Sequence, residues 1–134
     1  MKKFTMLFMA VVFAFVSGCS KQKNNVIKIG VIQLVEHSAL DANYKGFVDG
    51  LAEAGYIDGE NIKIDYNNAQ GEQANCVTIA QKFVTGKSDL IFAIATPAAQ
   101  AVANVTNKIP VVISAVTDPE SAKLVKSNKM PGKN

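Results

Sequence analysis

Residues 89–116 read DLIFAIATPAAQAVANVTNKIPVVISAV, and this stretch decides the fold. Segments 89–95 and 109–116 are nearly continuous apolar runs, which are typical of strands buried on both faces of a parallel sheet. The alanine-rich segment between them predicts a helix, with Thr96 as its N-cap and Pro97 at its first position. A strand, a helix and a second strand in this order form the repeating unit of an α/β fold.

The same alternation continues on both sides of this stretch. The segments 26–34, VIKIGVIQL, and 62–66, IKIDY, predict two further strands, each followed by an amphipathic helix. A capping arrangement of Ser38 and Asp41 marks the start of the first helix, and Gly55 marks its end. The apolar face of this helix consists of Leu40, Tyr44, Phe47, Val48 and Leu51. After the last strand, the segment 117–128, TDPESAKLVKSN, predicts a fourth helix.

This order of elements predicts a doubly wound parallel sheet in the flavodoxin-like order 2-1-3-4, with helices on both faces. A chain of 134 residues fits one such domain, which we assign to residues 26–134. In a doubly wound sheet, ligands bind beyond the carboxyl ends of the strands, near the point where the strand order reverses.

Three segments are expected to meet at that edge, one after each of strands 1, 3 and 4. They supply the candidate ligand-binding residues Gln33 and Glu36, Thr96 and Ala98, and Ala115, Thr117 and Asp118. The helix that starts at Thr96 offers amides without internal partners, and this arrangement suits a carboxylate. Asp118 can pair with a ligand ammonium, with the Thr117 hydroxyl adding a hydrogen bond. The alternative for both Thr96 and Asp118 is that they only cap the helices they precede.

The start of the chain carries export signals. Two lysines precede an uncharged apolar run at 4–16, which is too short to span a bilayer and is typical of a signal peptide. The sequence Val-Ser-Gly-Cys that ends at Cys19 resembles the bacterial lipobox and predicts a lipid on this cysteine. We therefore assign residues 1–18 to a signal peptide and 19–25 to a polar tether. The alternatives are an ordinary secretory peptide with an incidental cysteine, a membrane anchor or a buried strand.

The composition argues against several classes of function. The formal charge of +3 falls close to zero once the two leader lysines are removed, so nucleic-acid binding has no electrostatic support. One histidine and the remaining cysteine, Cys76, cannot supply a set of metal ligands. The sequence also lacks a dinucleotide fingerprint, a phosphate loop and a nucleophile elbow. We therefore expect no metal, no cofactor and no enzymatic activity.

Residues 29–84, IGVIQLVEHSALDANYKGFVDGLAEAGYIDGENIKIDYNNAQGEQANCVTIAQKFV, together with DLIFAIATPAAQA and IPVVISAVTDP further on, resemble the ABC-transporter substrate-binding lipoproteins of the tryptophan/tyrosine uptake type. The resemblance implies a type I periplasmic-binding-protein fold, in which two α/β lobes joined by hinge strands hold the ligand between them. It also implies an extracytoplasmic protein on a lipid anchor. Such a protein delivers an aromatic amino acid or another small molecule to a permease and its ATPase.

The resemblance also assigns a site. The ligand carboxylate of similar proteins meets the loops after strands 3 and 4, which correspond here to Thr96, Ala98, Ala115 and Thr117, with Asp118 adjacent. The residues after strand 1, Gln33 and Glu36, would line the same cleft. Similar proteins often carry proline at the position of Ser38, a difference that affects helix entry more than ligand choice.

Similar proteins are more than twice as long, so this chain is expected to correspond to the first lobe alone. A single lobe buries less of a ligand and cannot close over it, so we expect weak or no ligand binding. The alternatives are a truncated fragment without transport activity, an extracytoplasmic interaction or sensor module, and a small flavodoxin-like enzyme or cofactor carrier. The export signal and the missing phosphate loop disfavour the last of these.

Overall fold

A computed structural model describes residues 26–132, so the predicted signal peptide, Cys19 and the tether lie outside the described residues. The elements follow one another as β1 (Ile27–Gln33), α1 (Ser38–Glu53), β2 (Ile62–Asn68), α2 (Gln73–Thr85), β3 (Leu90–Ile94), α3 (Thr96–Val105) and β4 (Val111–Ser114). All strand pairs are parallel, and the strand order is β2-β1-β3-β4. The predicted α/β fold class and strand order are confirmed.

The sheet separates two apolar cores. On one face, side chains of α2 and α3, such as Phe83 and Val102, pack with Ile32 and Ile91 of the central strands. On the other face, α1 covers a smaller cluster, which consists of Ile29, Val31, Ile62, Phe92 and Ile94. Because successive side chains of a strand point to opposite faces, β1 and β3 contribute to both cores and need apolar residues at nearly every position.

Helix α1 lies on its face of the sheet without another helix beside it, and none of its residues is fully buried. Four of its predicted apolar residues pack on the sheet, namely Leu40, Tyr44, Phe47 and Leu51. Val48 is half-buried and lies outside that cluster. The rings of Phe47 and Phe92 stack with their centroids 4.1 Å apart, which fixes the helix over β3.

The two ends of α1 test the predicted stop and start signals. Gly55 adopts a φ of 86°, and the amide of Tyr56 donates to the carbonyl of Leu51, so the predicted glycine stop is confirmed. The predicted Ser38 cap is wrong, because the N-cap is His37, whose Nδ1 accepts a hydrogen bond from the Ala39 amide at 3.2 Å. Asp41 is occupied elsewhere, since one of its oxygens accepts from the buried Gln33 side chain.

The predicted fourth helix is also wrong, because the segment after β4 forms turns. Its single helical turn ends at Lys123, which adopts a φ of 59°. The amide of Lys123 donates to the Glu120 carbonyl and that of Leu124 to the Pro119 carbonyl, each at 2.9 Å, which is the hydrogen-bond pattern of a Schellman stop. Burial of Leu124 against the core under α3 holds this early stop in place. Among residues 26–132, no helix is long and apolar enough to cross a bilayer.

The closest packing in the larger core is between Gly30 on β1 and the ring of Phe83 on α2. A Cβ atom added at Gly30 would lie 2.6–2.8 Å from three carbons of that ring. Phe83 is almost fully buried, so its ring cannot move into solvent without losing the burial that stabilises α2. Only glycine therefore fits at this position.

We expect Gly30→Ala to lower the free energy of unfolding by about 1–3 kcal/mol, because the methyl group overpacks the core. Gly46→Ala on α1 is the matched control, since nothing lies within 4 Å of its added Cβ. That variant should stabilise the protein by about 0.5–1 kcal/mol through helix propensity. Urea denaturation followed by circular dichroism measures both changes. Equal stability of Gly30→Ala and the unmodified protein would contradict the described contact.

Candidate functional site

The parallel register brings the ends of three strands to one level. Gln33 at the end of β1 pairs with Ile94 of β3, and Ile94 pairs with Ser114 of β4. The residues that follow therefore emerge side by side at the carboxyl edge of the sheet. The candidate residues predicted from the sequence lie on these three segments, in the order in which the strands stand in the sheet.

Two alanines at this edge adopt backbone conformations that favour glycine. Ala95 follows β3 with a φ of 84°, and Ala115 follows β4 with a φ of 53°. The Ala95 amide donates to the Ser114 carbonyl at 2.9 Å, so the first of these turns is hydrogen-bonded to the neighbouring strand. Each such conformation costs about 1–3 kcal/mol, and backbone strain of this kind clusters at functional sites.

The start of α3 differs by one residue from the prediction. The helix begins at Thr96, its N-cap is Ala95, and no side chain caps it. Pro97 therefore occupies the second position, and the predicted Thr96 cap is wrong. The first backbone hydrogen bond of the helix runs from the Ala99 amide to the Ala95 carbonyl, at 3.0 Å. The Thr96 amide and hydroxyl thus lie at an uncapped helix start, where the helix dipole favours an anion.

The remaining candidate residues differ in their exposure to solvent. Ala115 and Thr117 are exposed on the segment after β4, whereas Ala98 is fully buried in the core that α3 helps to form. A ligand cannot touch Ala98 in this conformation, so the structure gives no support to that part of the predicted site. Glu36 is exposed on the segment after β1.

Asp118 joins several parts of the segment after β4 through hydrogen bonds. Its carboxylate accepts hydrogen bonds from the Glu120 amide and the Asn128 side chain, both at 3.1 Å, and from the Ser121 hydroxyl. The Ser121 and Asn128 hydrogen bonds lower the pKa of Asp118 to about 2, so it is ionised at neutral pH. These contacts agree with the capping alternative, and a contact between Asp118 and a ligand ammonium stays a prediction.

Gln33 is fully buried, which is unusual for a polar residue at a strand end. Its Nε2 donates to the Val35 carbonyl at 2.9 Å and to Asp41 Oδ1 at 2.6 Å. The sequence predicts Gln33 near the cleft and Asp41 only in the capping arrangement of α1. The sequence does contain a signal for this contact. A polar side chain inside an apolar strand needs a hydrogen-bond partner close by.

A small aromatic and polar group lies next to this pair on the α1 side. The rings of Tyr44 and Tyr66 lie 4.5 Å apart, centroid to centroid. Burial raises the pKa of Tyr66, the Asn68 hydrogen bond lowers it, and the charges of Asp41 and Glu36 raise it further. None of these three residues, Tyr44, Tyr66 and Asn68, was among the candidates.

A cavity of 440 Å³ lies on the flank of the sheet and extends to Pro119 and Asn128, next to Asp118. Its lining is mostly apolar and comes from α3, β4 and the turns after β4, including Ala99, Val111, Ile113, Leu124 and Val125. Such a lining offers few groups that could orient a carboxylate or an ammonium. We therefore locate the candidate site at the carboxyl edge.

Comparison with known proteins identifies the family. The family model described as "ABC transporter substrate binding protein" matches residues 28–134. The chain belongs to this family. It is 54% identical over 114 residues to a tyrosine-binding protein of Clostridioides difficile, an alignment that covers 85% of this chain and 32% of that protein.

Solved structures of this family share the fold. One is the ligand-free, open structure of a substrate-binding protein with adhesive properties from Clostridium difficile, with 55% identity and a TM-score of 0.79. Another is the complex of a Streptococcus pneumoniae ABC domain with L-Trp, with 49% identity and a TM-score of 0.78. Each alignment covers 81% of this chain and 37% of the solved chain. The chain thus spans about a third of the length of the relatives it matches.

The strained turn at Ala95 can be tested through stability. We expect Ala95→Gly to be neutral or stabilising, because relief of the strain at φ 84° offsets the lost methyl group and the added chain entropy. Ala103→Gly, at an exposed position inside α3, should instead cost about 0.5–1 kcal/mol. Urea midpoints of the two variants give the comparison. An equal loss in both would show that the Ala95 turn is not strained.

Proposed function

We propose that this protein is the solute-binding component of an ABC importer and that it binds an aromatic amino acid. The ligand lies at the carboxyl edge of the sheet, in a cleft whose other wall belongs to a second lobe. The observation that carries this proposal is the uncapped start of α3 at Thr96, held beside the ends of β1 and β4 by the parallel register. The tyrosine-binding relative and the L-Trp complex support the choice of ligand class.

The edge offers complementary groups to the two charged ends of an amino acid. The ligand carboxylate binds the Thr96 amide and hydroxyl, and the exposed Ala115 and Thr117 extend this contact. Glu36 and Asp118 supply negative charge for the ligand ammonium. These assignments make the protein a binding protein and not an enzyme, since no step of bond breaking is required of any of them.

The predicted export signals support a location outside the cytoplasm for the same protein. We assign residues 1–18 to a lipoprotein signal peptide, Cys19 to the lipid anchor and residues 19–25 to the tether that joins the anchor to β1. In this arrangement the lobe works at the cell surface or at the periplasmic face, beside the permease and ATPase of the importer. One acyl group holds a protein only weakly, so stable anchoring requires more than one chain on Cys19.

A second candidate function is a fragment without transport activity, or an interaction or sensor module outside the cytoplasm. The described residues 26–132 span about a third of the length of the relatives and provide one wall of the cleft. One wall buries less of a ligand than two, so we expect millimolar affinity of these residues by themselves for an aromatic amino acid, and micromolar affinity in isothermal titration would contradict a half-site.

Titration of the ¹⁵N-labelled protein with L-tyrosine or L-tryptophan, followed by NMR, tests the site at such weak affinity. We expect the amide signals of Thr96, Ala115 and Thr117 to shift with ligand concentration. Thr96→Ala should weaken binding about twofold to tenfold, the usual effect of one lost hydrogen bond. Thr85→Ala, at the exposed end of α2 and the opposite edge of the sheet, is the control. Shifts confined to the apolar cavity around Val111 would refute the assignment.

The anchor is tested separately in cells that produce the full sequence. The protein should incorporate an alkyne-labelled palmitate analogue and sediment with membranes. Cys19→Ala should abolish both, because it removes the thiol that receives the lipid, whereas Cys76→Ala should change neither, since Cys76 is buried in the core. Unchanged labelling of Cys19→Ala would show that the lipid is attached elsewhere or that the lipobox assignment is wrong.

A further inference from the structure

The buried amide of Gln33 has one polar atom that this chain does not use. Both hydrogen bonds of the side chain are made by its nitrogen, to the Val35 carbonyl and to Asp41. Within the described range 26–132, no group donates to its Oε1, although that atom is buried. Buried acceptors without a partner are rare in folded proteins because they lose their hydration without compensation.

The orientation of this amide is fixed. The Val35 carbonyl can only accept a hydrogen bond, and so can the ionised Asp41 carboxylate. Turning the amide by 180° would place its oxygen against both acceptors and lose two hydrogen bonds. Gln33 therefore presents an acceptor, and never a donor, on the side away from Asp41.

The position of Gln33 links this acceptor to the edge of the sheet. Gln33 is the last residue of β1, and it pairs with Ile94 in the neighbouring strand. The strained Ala95 and the helix start at Thr96 follow directly after Ile94. Adjacent strands lie about 4.8 Å apart, so the backbone of Gln33 and the backbone of Ile94, two residues before Thr96, are neighbours at this edge.

The charges around Gln33 favour a cationic donor. Asp41 contacts the Gln33 amide directly, and Glu36 lies three residues further along the chain. The negative charges of Asp41 and Glu36 both raise the pKa of Tyr66, whose strand β2 is paired with β1. An ammonium group would satisfy the acceptor and would be stabilised by both charges.

We propose that Gln33 Oε1 accepts a hydrogen bond from the ligand ammonium and that Asp41 is the positioning residue that holds the Gln33 amide in this orientation. The inference rests on the proposed function, because it requires an amino-acid ligand at the same edge. Like Ala98, Gln33 has no exposed surface in the described conformation, so this contact requires the residues that cover Gln33 to move when the ligand binds. The pair thereby selects amino acids against carboxylic acids that lack the ammonium.

The test compares L-tryptophan with indole-3-propionate, which has the same ring and carboxylate but no ammonium. For the unmodified protein we expect NMR titration to show about tenfold tighter binding of L-tryptophan, the effect of one charged hydrogen bond. The ¹³Cδ signal of Gln33 should shift with L-tryptophan and stay unchanged with indole-3-propionate.

Two variants separate the roles. Gln33→Met keeps the side-chain length but removes the acceptor, and it should reduce the tenfold preference to less than about threefold. Asp41→Asn should have a similar effect, because asparagine lets the Gln33 amide turn. Asp49→Asn on the same helix is the control, since Asp49 is exposed and contacts only Lys45. The control should keep the full preference.

The outcomes distinguish this inference from the proposed function. If L-tryptophan and indole-3-propionate bind equally well, or if Gln33→Met keeps the preference, the proposal for Gln33 is overturned and the site at Thr96 stands. If neither compound shifts any signal of the unmodified protein, the proposed function and this inference both fall. The proposal is supported if Gln33→Met and Asp41→Asn both lose the preference while the control Asp49→Asn keeps it.

Discussion

The structure depends on the parallel register of β1, β3 and β4. This register sets Gln33, Ile94 and Ser114 at one level, so the chain leaves all three strands at the same edge. A shift of one residue in β1 would exchange its side chains between the two cores and move Gly30 away from the Phe83 ring, so neither core would pack as described. The fit of individual side chains in the two cores therefore fixes both the register and the geometry of the edge.

The packing of the two apolar cores offsets the cost of unfavourable features at the carboxyl edge of the sheet. Two alanines adopt positive φ angles, the start of α3 has no capping side chain, and a buried amide oxygen is unpaired among the described residues. Each of these features costs stability in the free protein, and none is needed to build the sheet. They lie next to one another where a doubly wound sheet receives its ligand, which is the pattern expected of a site prepared for a partner.

The sequence allowed the strands, three of the helices and the strand order to be predicted, because those depend on apolar periodicity and on alternation along the chain. The failures have local causes. His37 rather than Ser38 caps α1, because the chain is extended at His37 and already helical at Ser38. Asp41 instead accepts a hydrogen bond from Gln33, which is a tertiary contact that sequence spacing does not show. The fourth helix stops after one turn because Lys123 accepts a left-handed conformation while Leu124 is buried. The positive φ of Ala95 has no signal in the sequence, since alanine normally avoids that region.

The central claim is that an aromatic amino acid binds against the amides at the start of α3. Intermolecular NOEs between the Cα and Cβ protons of L-tryptophan, at millimolar concentration, and the amide protons of the labelled protein test this most directly. The account predicts NOEs to Thr96, Ala115 and Thr117, at the carboxyl edge of the sheet. NOEs to Ala99, Val111 and Leu124 instead would place the ligand in the apolar cavity on the flank and contradict the account.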